Sequence, residues 1–246
     1  MSVMAASPSQ SISSPASEAW SANSAFRVRL GAMCLLSAAA LELLGLSFRG
    51  PLTSPAGDPA AFVRVSSSPT LHLGWGMLLP AAMLQCFGWL AVYRWRFDSI
   101  DERWAFRGMV LMLTSIIVFL PVSGALGLTS HEASLAETGG QHGAVALVAA
   151  TAEGPFARKF LLVSVLTGLF AVGAWSRALW RVSRAGPWWA SLLILHTITQ
   201  SITSPMFAPW GYRLERLGAV AFLMVSVDIA RRIFMDTSPR AVEATL

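Results

Sequence analysis

Six stretches of the chain are long and apolar enough, or nearly so, to cross a lipid bilayer as helices. The core of a bilayer takes about 20 apolar residues in an α-helix. Transmembrane β-strands are only about 10 residues long and alternate in polarity, whereas these stretches are continuous and longer. We therefore predict an all-α, polytopic membrane helix bundle. Its six transmembrane helices are expected at about residues 30–48, 71–93, 108–128, 160–180, 187–208 and 211–232.

The composition excludes several other classes of protein. Hydrophobic residues make up 54% of the chain and charged residues only 13%, about half of the roughly 25% that is usual in soluble domains. The formal net charge of +5 comes from arginines at the ends of the apolar stretches, where they meet lipid headgroups. We therefore exclude a soluble domain, a secreted disulfide scaffold and a nucleic-acid-binding protein.

The positively charged residues predict which end of each helix faces the cytoplasm. If both termini are inside, twelve Lys and Arg residues lie on the cytoplasmic side and six on the other. This agrees with the excess of Lys and Arg that cytoplasmic loops carry. The cytoplasmic group is Arg27, Arg29, Arg94, Arg96, Arg103, Arg107, Arg177, Arg181, Arg184, Arg231, Arg232 and Arg240. The opposite group is Arg49, Arg64, Arg158, Lys159, Arg213 and Arg216. We predict an N-in, C-in topology with longer outer loops at about 49–70 and 129–159.

The sixth stretch is the weakest candidate span because charged residues lie near both of its ends. Arg213, Glu215 and Arg216 fall in its first turns, and the two arginines would have to extend toward the membrane surface. Asp228 is followed four residues later by Arg232, a spacing that predicts an ion pair on one helical face.

The segments that flank the membrane domain, predicted at residues 25–235, differ from it in composition. Residues 1–24 are rich in serine and lack a periodic apolar face, which predicts a disordered cytoplasmic tail. Residues 236–246 are expected to form a second cytoplasmic tail. The first span is predicted to be a retained signal anchor, and the apolar segment 142–152 to be interfacial or re-entrant. The expected location is the inner membrane of a bacterium.

The first predicted outer loop carries a recognisable stretch. It reads Ala56-Gly57-Asp58-Pro59-Ala60-Ala61-Phe62, and Ser67-Ser68-Pro69 and His72 follow it at the start of the second span. Here the chain resembles a group of bacterial integral membrane proteins of unassigned activity, which have about six spans and a GDPAAF-like first outer loop. The resemblance implies the six-helix layout and carries no activity with it.

Polar side chains inside the spans are the candidates for a functional site, because they are costly in a membrane. Glu42, in the outer half of the first span, and His196, near the middle of the fifth, are the candidate catalytic acid–base groups. His196, Thr199, Gln200 and Thr203 are spaced to share one helical face. Two interpretations stay open: this face joins helices by hydrogen bonds, or Thr199, Gln200 and Thr203 bind a substrate.

The histidines also bear on a cofactor. His72, at the outer boundary of the second span, is a further substrate-binding candidate. Haem in a membrane bundle needs axial histidines on facing helices, and His72 and His196 are the pair carried by predicted spans. Their depths differ, and no metal-ligand spacing is present around Cys34, Cys86 or the histidines. We expect no cofactor, with haem or a metal ion as alternatives.

Three functions are compatible with these residues. The first is a bundle without catalysis that handles a lipid or another small apolar molecule in a cavity of its outer half. The second is a membrane-embedded acid–base enzyme that acts on an apolar substrate through Glu42 and His196. It would be like the isoprenoid cyclases of membranes, which protonate their substrate with acidic residues. The third is a haem-binding electron-transfer subunit. The expected partners are the lipid bilayer and further membrane subunits, and not nucleic acid.

Overall fold

The structure is a computed structural model that describes residues 22–96, 102–182, 185–203 and 209–238. Within these ranges it contains helices and no strands. The helices are α1 (Ala22–Arg49), α2 (Pro59–Ser66), α3 (Pro69–Arg96), α4 (Glu102–Thr138), α5 (Ala144–Ala152), α6 (Pro155–Val182), α7 (Gly186–Thr203) and α8 (Pro209–Asp236). The two predicted tails lie outside the described residues, except at 22–24 and 236–238.

Proline and glycine mark several helix ends. Pro69, Pro155 and Pro209 are the first residues of α3, α6 and α8, where the missing N–H of proline costs nothing. Asp58 caps the short helix α2, because its carboxylate accepts a hydrogen bond at 2.9 Å from the backbone N–H three residues later. Gly50 follows α1 with a φ of +69°, a conformation that glycine adopts without strain.

In the described part of the chain, the six long helices form a closed ring in chain order. α1 packs on α3, α3 on α4, α4 on α6, α6 on α7 and α7 on α8, and α8 returns to α1. Successive helices are antiparallel. Gly31 near the start of α1 lies against Ala91 near the end of α3, and Gly108 of α4 lies against Trp175 of α6. The ring encloses the space in which the candidate site lies.

Small residues bring α1 and α3 close together. A Cβ atom built on Gly31 would lie 2.2 Å from the Cβ of Ala91, and one on Gly88 would lie 2.7 Å from the Cβ of Leu35. Membrane helices associate through this kind of close backbone approach, since lipid gives them no hydrophobic drive to pack. The position of α1 against α3 therefore depends on glycine at these sites.

Because successive helices are antiparallel, the arginines gather at one end of the ring. We call this the arginine-rich end, where α1, α4 and α7 begin and α3, α6 and α8 end. Its described arginines are Arg27, Arg29, Arg94, Arg96, Arg103, Arg107, Arg177, Arg181, Arg231 and Arg232. Contacts join the helices there: the guanidinium of Arg177 lies 4.8 Å from the ring centroid of Trp104. The arginine segregation read from the sequence is thus also a feature of the packed helices.

Buried aromatic side chains form the core near the arginine-rich end. Trp89, Trp175, Trp189 and Phe222 are all at most 1% exposed, and the ring centroids of Trp89 and Trp175 are 5.3 Å apart. The indole N–H of Trp189 donates a hydrogen bond to Asp228 at 2.8 Å. Buried indole N–H groups usually have a hydrogen-bond partner, and Asp228 is that partner for Trp189.

The predicted ion pair between Asp228 and Arg232 is confirmed. Arg232 Nε lies 3.1 Å from Asp228 Oδ2, at a spacing of four residues. The guanidinium also lies 5.2 Å from the ring centroid of Trp189. Asp228 and Arg232, one turn apart on α8, thus both contact Trp189 near the start of α7.

The all-α membrane bundle predicted from the sequence is confirmed. Four helices of the described ranges are long and apolar enough to cross a membrane: Asn23–Arg49, Pro69–Arg96, Arg103–Thr138 and Pro155–Arg181. α7 and α8 overlap the fifth and sixth predicted spans but are not in this group, and α8 carries charged residues near both ends.

Large apolar side chains on the outside of the ring suit contact with lipid. Phe87, Ile117 and Phe170 are 60%, 62% and 69% exposed, and they belong to α3, α4 and α6. Soluble monomers rarely expose extended apolar surface of this kind. The exposed apolar surface and the helix lengths therefore support the same class of protein.

The structure alters the loop predicted at 129–159. α4 continues to Thr138, beyond the predicted end of its span at residue 128, so the first part of that loop is helix. α5 has nine residues and is too short to span, as predicted for 142–152. It packs on α4 with Val145 and Val148 buried.

Candidate functional site

A cavity of about 200 Å³ lies inside the ring, lined by residues of α1, α3, α4, α6 and α7. Most of its wall is apolar and includes Leu46, Leu78, Ile116, Phe119 and Leu193. Polar side chains enter it chiefly from α1 and α7. Cavities of this kind, with an apolar wall and a few convergent polar groups, are the usual form of a small-molecule site.

Glu42, Gln200 and His196 meet at the wall of the cavity. Gln200 Nε2 donates a hydrogen bond to Glu42 Oε1 at 3.0 Å, although the two residues are 158 positions apart in sequence. His196 Nδ1 lies 3.6 Å from the same carboxylate oxygen. The side chains of His196 and Glu42 are only 12% and 14% exposed. We call these three residues the Glu42 cluster.

α8 fixes the orientation of His196 from behind. The imidazole stacks on Phe222 with ring centroids 4.7 Å apart, and Nδ1 lies 3.3 Å from the carbonyl oxygen of Gly218. Because a carbonyl can only accept, this contact favours the tautomer with its proton on Nδ1. The other ring nitrogen is then a hydrogen-bond acceptor.

A buried ion pair between Arg49 and Glu215 stands beside the Glu42 cluster. The side chains are 6% and 4% exposed, and the Arg49 guanidinium lies 5.4 Å from the ring centroid of Trp75. Arg49 and Trp75 both line the cavity. Gln200 connects the pair to the cluster, since its Nε2 also lies 3.4 Å from the backbone oxygen of Glu215.

The sequence does not predict this ion pair. It places Arg49 in the outer group of cations and Glu215 in the charged first turns of the sixth span. Arg213 and Arg216 are exposed, whereas Glu215 turns inward and is 3% exposed. An isolated charge at a helix end gives the sequence no sign of a partner on another helix.

Two buried polar atoms on residues of the cavity wall have no hydrogen-bond partner in the described part of the chain. They are the indole nitrogen of Trp89 and the hydroxyl of Ser123. A buried donor without a partner costs about 1–3 kcal/mol. Unsatisfied groups of this kind are rare in native structures.

The structure brings three of the six predicted site residues together: Glu42, His196 and Gln200. The hydroxyl of Thr199 instead donates within α7 to the carbonyls of Leu195 and His196, both at 2.9 Å, and packs against Gly218 of α8. The polar face of α7 is therefore divided between the cavity and a helix contact. Thr203 is the last residue of α7, and its side chain lies outside the described residues.

His72 is separate from the cavity wall formed by the described residues. Its side chain is exposed near the start of α3, and its ring centroid is 5.3 Å from that of His131. His131 Nδ1 in turn lies 2.9 Å from the carbonyl oxygen of Ser66. His72 and His196, the pair considered for haem, thus have different surroundings.

The described residues hold no group of three or more His, Cys, Asp or Glu side chains that could bind a metal ion. Cys34 and Cys86 are free thiols. The donor groups of the cavity are instead one carboxyl, one imidazole, one guanidinium and several amide and hydroxyl groups. These groups are suited to hydrogen bonding and proton transfer.

Fold and site together define an α-helical membrane bundle with an internal, partly polar cavity. Comparison with protein families, with curated proteins and with solved structures found no match to this chain. We therefore infer the function from the geometry of the cavity.

Proposed function

We propose that this protein is a six-span membrane protein that binds a small, mainly apolar molecule in the cavity. The observation that carries the proposal is the convergence of the Glu42 cluster on an otherwise apolar cavity inside the ring. A cluster that served only to join helices would not need a cavity beside it.

We further propose an N-in, C-in orientation in the inner membrane of a bacterium. The arginine-rich end would then face the cytoplasm, in agreement with the preference of cytoplasmic loops for arginine. In this orientation Glu42, seven residues before the end of α1, lies about 10 Å from that helix end at 1.5 Å per residue. The polar side of the cavity would then belong to the outer half of the membrane.

A pair of matched variants on α6 tests for a bound molecule. Val165 lines the cavity, whereas Val163 on the same helix is 48% exposed. Val165→Trp should fill the cavity, and Val163→Trp should leave it open. Each protein is purified in the same detergent, extracted with organic solvent and compared by mass spectrometry.

We expect one small molecule to co-purify with the wild type and with Val163→Trp, and to be depleted at least tenfold in Val165→Trp. Equal amounts of every extracted molecule in all three samples, with both variants folded, would contradict the proposal. The comparison subtracts annular lipid, because lipid on the outside of the bundle is common to all samples.

A membrane-embedded acid–base enzyme is the second candidate, and one distance favours it. His196 Nδ1 and Glu42 Oε1 are 3.6 Å apart and their side chains are only 12% and 14% exposed, so one substrate in the cavity can contact both an acid and a base. Glu42→Gln would then leave the bound molecule in place but abolish its conversion. If the wild type returns an added apolar molecule unchanged, binding alone accounts for the site.

A further inference from the structure

The charges around Glu42 do not balance. Glu42 and Glu215 supply two carboxyl groups, and Arg49 supplies one guanidinium, which is already paired with Glu215. Among the described residues, His196 on α7 also faces Glu42 and is titratable. The described residues of α3, α4 and α6 that line the cavity include no Asp, Glu, Lys, Arg or His. With both carboxyls ionised and His196 neutral, the site carries one excess negative charge.

An uncompensated charge in this place is costly. Charged groups inside a membrane protein are found paired, because removing them from water costs several kcal/mol per ion. Gln200 donates one hydrogen bond to Glu42 but brings no charge. The site therefore needs one positive charge, which either a proton or a cationic ligand supplies.

The wall of the cavity favours a cation with an apolar body. Trp75, Trp89 and Phe119 all line it, and aromatic faces attract ammonium groups most strongly where water is excluded. Arg49 already shows this contact on Trp75 at 5.4 Å. An apolar cavity of about 150 Å³ holds a benzene molecule, so a cavity of about 200 Å³ accommodates a ring that carries a small cationic group.

We propose that the cavity binds a monovalent organic cation, an amine or quaternary ammonium on an apolar body, in exchange for a proton. In the empty protein Glu42 holds the proton. When the cation enters, the carboxyl O–H bond breaks, the proton leaves to water, and the carboxylate faces the cation. The charge of the site is the same before and after. This inference rests on the proposed function, since it specifies which molecule the cavity takes.

A matched pair of probes distinguishes the effect of the ligand's charge from the effect of its shape. Benzyltrimethylammonium is a cation, and neopentylbenzene is its uncharged isostere with carbon in place of nitrogen. Binding of each to the purified wild-type protein in detergent is followed by tryptophan fluorescence, because Trp75 and Trp89 line the cavity. Calorimetry of the cation in two buffers of different ionisation enthalpy counts the protons released.

We expect the cation to bind at least tenfold more tightly than the isostere at pH 8, and to release about one proton at pH 6, where Glu42 is protonated in the empty protein. Because one proton leaves for each cation bound, the affinity should rise about tenfold for each pH unit while Glu42 is protonated in the empty protein. Glu42→Gln should remove the pH dependence and the preference for the cation. Glu132→Gln, the same change at an exposed position of α4, should leave both unchanged.

The possible negative results distinguish the cation exchange from the proposed function. If the isostere binds as tightly as the cation and no proton is released, the cation exchange is overturned, while binding of an apolar molecule stands. If neither probe binds and no molecule co-purifies in the Val165→Trp comparison, the proposed function is overturned as well. The affinities and the proton count come from the wild type, so the test does not depend on the folding of Glu42→Gln.

Discussion

Removal of Arg49 should strongly destabilise the protein, because it leaves the charge of Glu215 buried and unpaired. The two side chains are 6% and 4% exposed, so water cannot replace the lost partner. Breaking a buried ion pair from one side costs about 3–5 kcal/mol. We expect Arg49→Met, which keeps most of the apolar stem, to lower the free energy of unfolding by about this amount.

Arg232 offers a matched control on the same helix ring. It also pairs with a carboxylate of α8 and also lies over a tryptophan, Trp189 at 5.2 Å, but its side chain is 43% exposed. Ion pairs of this kind contribute about 0–1 kcal/mol. Arg232→Met should therefore cost much less than Arg49→Met, although the contacts that each arginine makes are similar in kind.

The assay is equilibrium unfolding in mixed micelles by titration with sodium dodecyl sulfate, followed by tryptophan fluorescence and circular dichroism. A third protein, Arg49→Met with Glu215→Leu, replaces both charges and should recover most of the lost stability, since apolar replacement of a buried pair is often neutral. Equal small losses for Arg49→Met and Arg232→Met, or no recovery in the double variant, would refute the argument from burial.

Two further predictions concern packing and orientation. Gly31→Ala should lower the free energy of unfolding by about 1–3 kcal/mol, because its new Cβ would lie 2.2 Å from that of Ala91. Gly76→Ala is the control: its new Cβ would have no atom within 4 Å, so it should cost far less. Equal losses of stability in the two variants would contradict the close contact. Alkaline phosphatase, which is active only outside the cytoplasm, should be active when fused after Arg64 in the first outer loop. It should be inactive when fused after Arg181 at the cytoplasmic end of α6. The reverse result would invert the proposed topology.

The helices were predictable because their cause is local. A bilayer leaves no water to satisfy backbone groups, so each long apolar stretch has to satisfy them within its own helix. The predicted stretches at 71–93 and 160–180 accordingly fall inside α3 and α6. The extension of α4 to Thr138 was missed, because residues 129–138 are too polar to count as part of a span, although they continue the helix and pack on α2 and α5.

The Glu42 cluster was predictable in part. Glu42 and His196 stood out because ionisable residues in a span are costly, and Gln200 because it is one turn from His196 on α7. Arg49 and Glu215 did not stand out, since each lies at a helix end where charges are ordinary. Thr199 was placed with the site because it shares a helical face, but it packs on Gly218 of α8 instead.

By itself the sequence determined the class of this protein, the approximate positions of its long apolar helices and the gathering of arginines at alternate helix ends, because each of these follows from hydrophobicity and charge along a single segment. Only the tertiary structure decided that α8 closes the ring onto α1. That closure brings Glu42 to Gln200, 158 residues away, and Arg49 to Glu215. Such contacts depend on how each helix is rotated about its axis, which is set by the packing of whole helices.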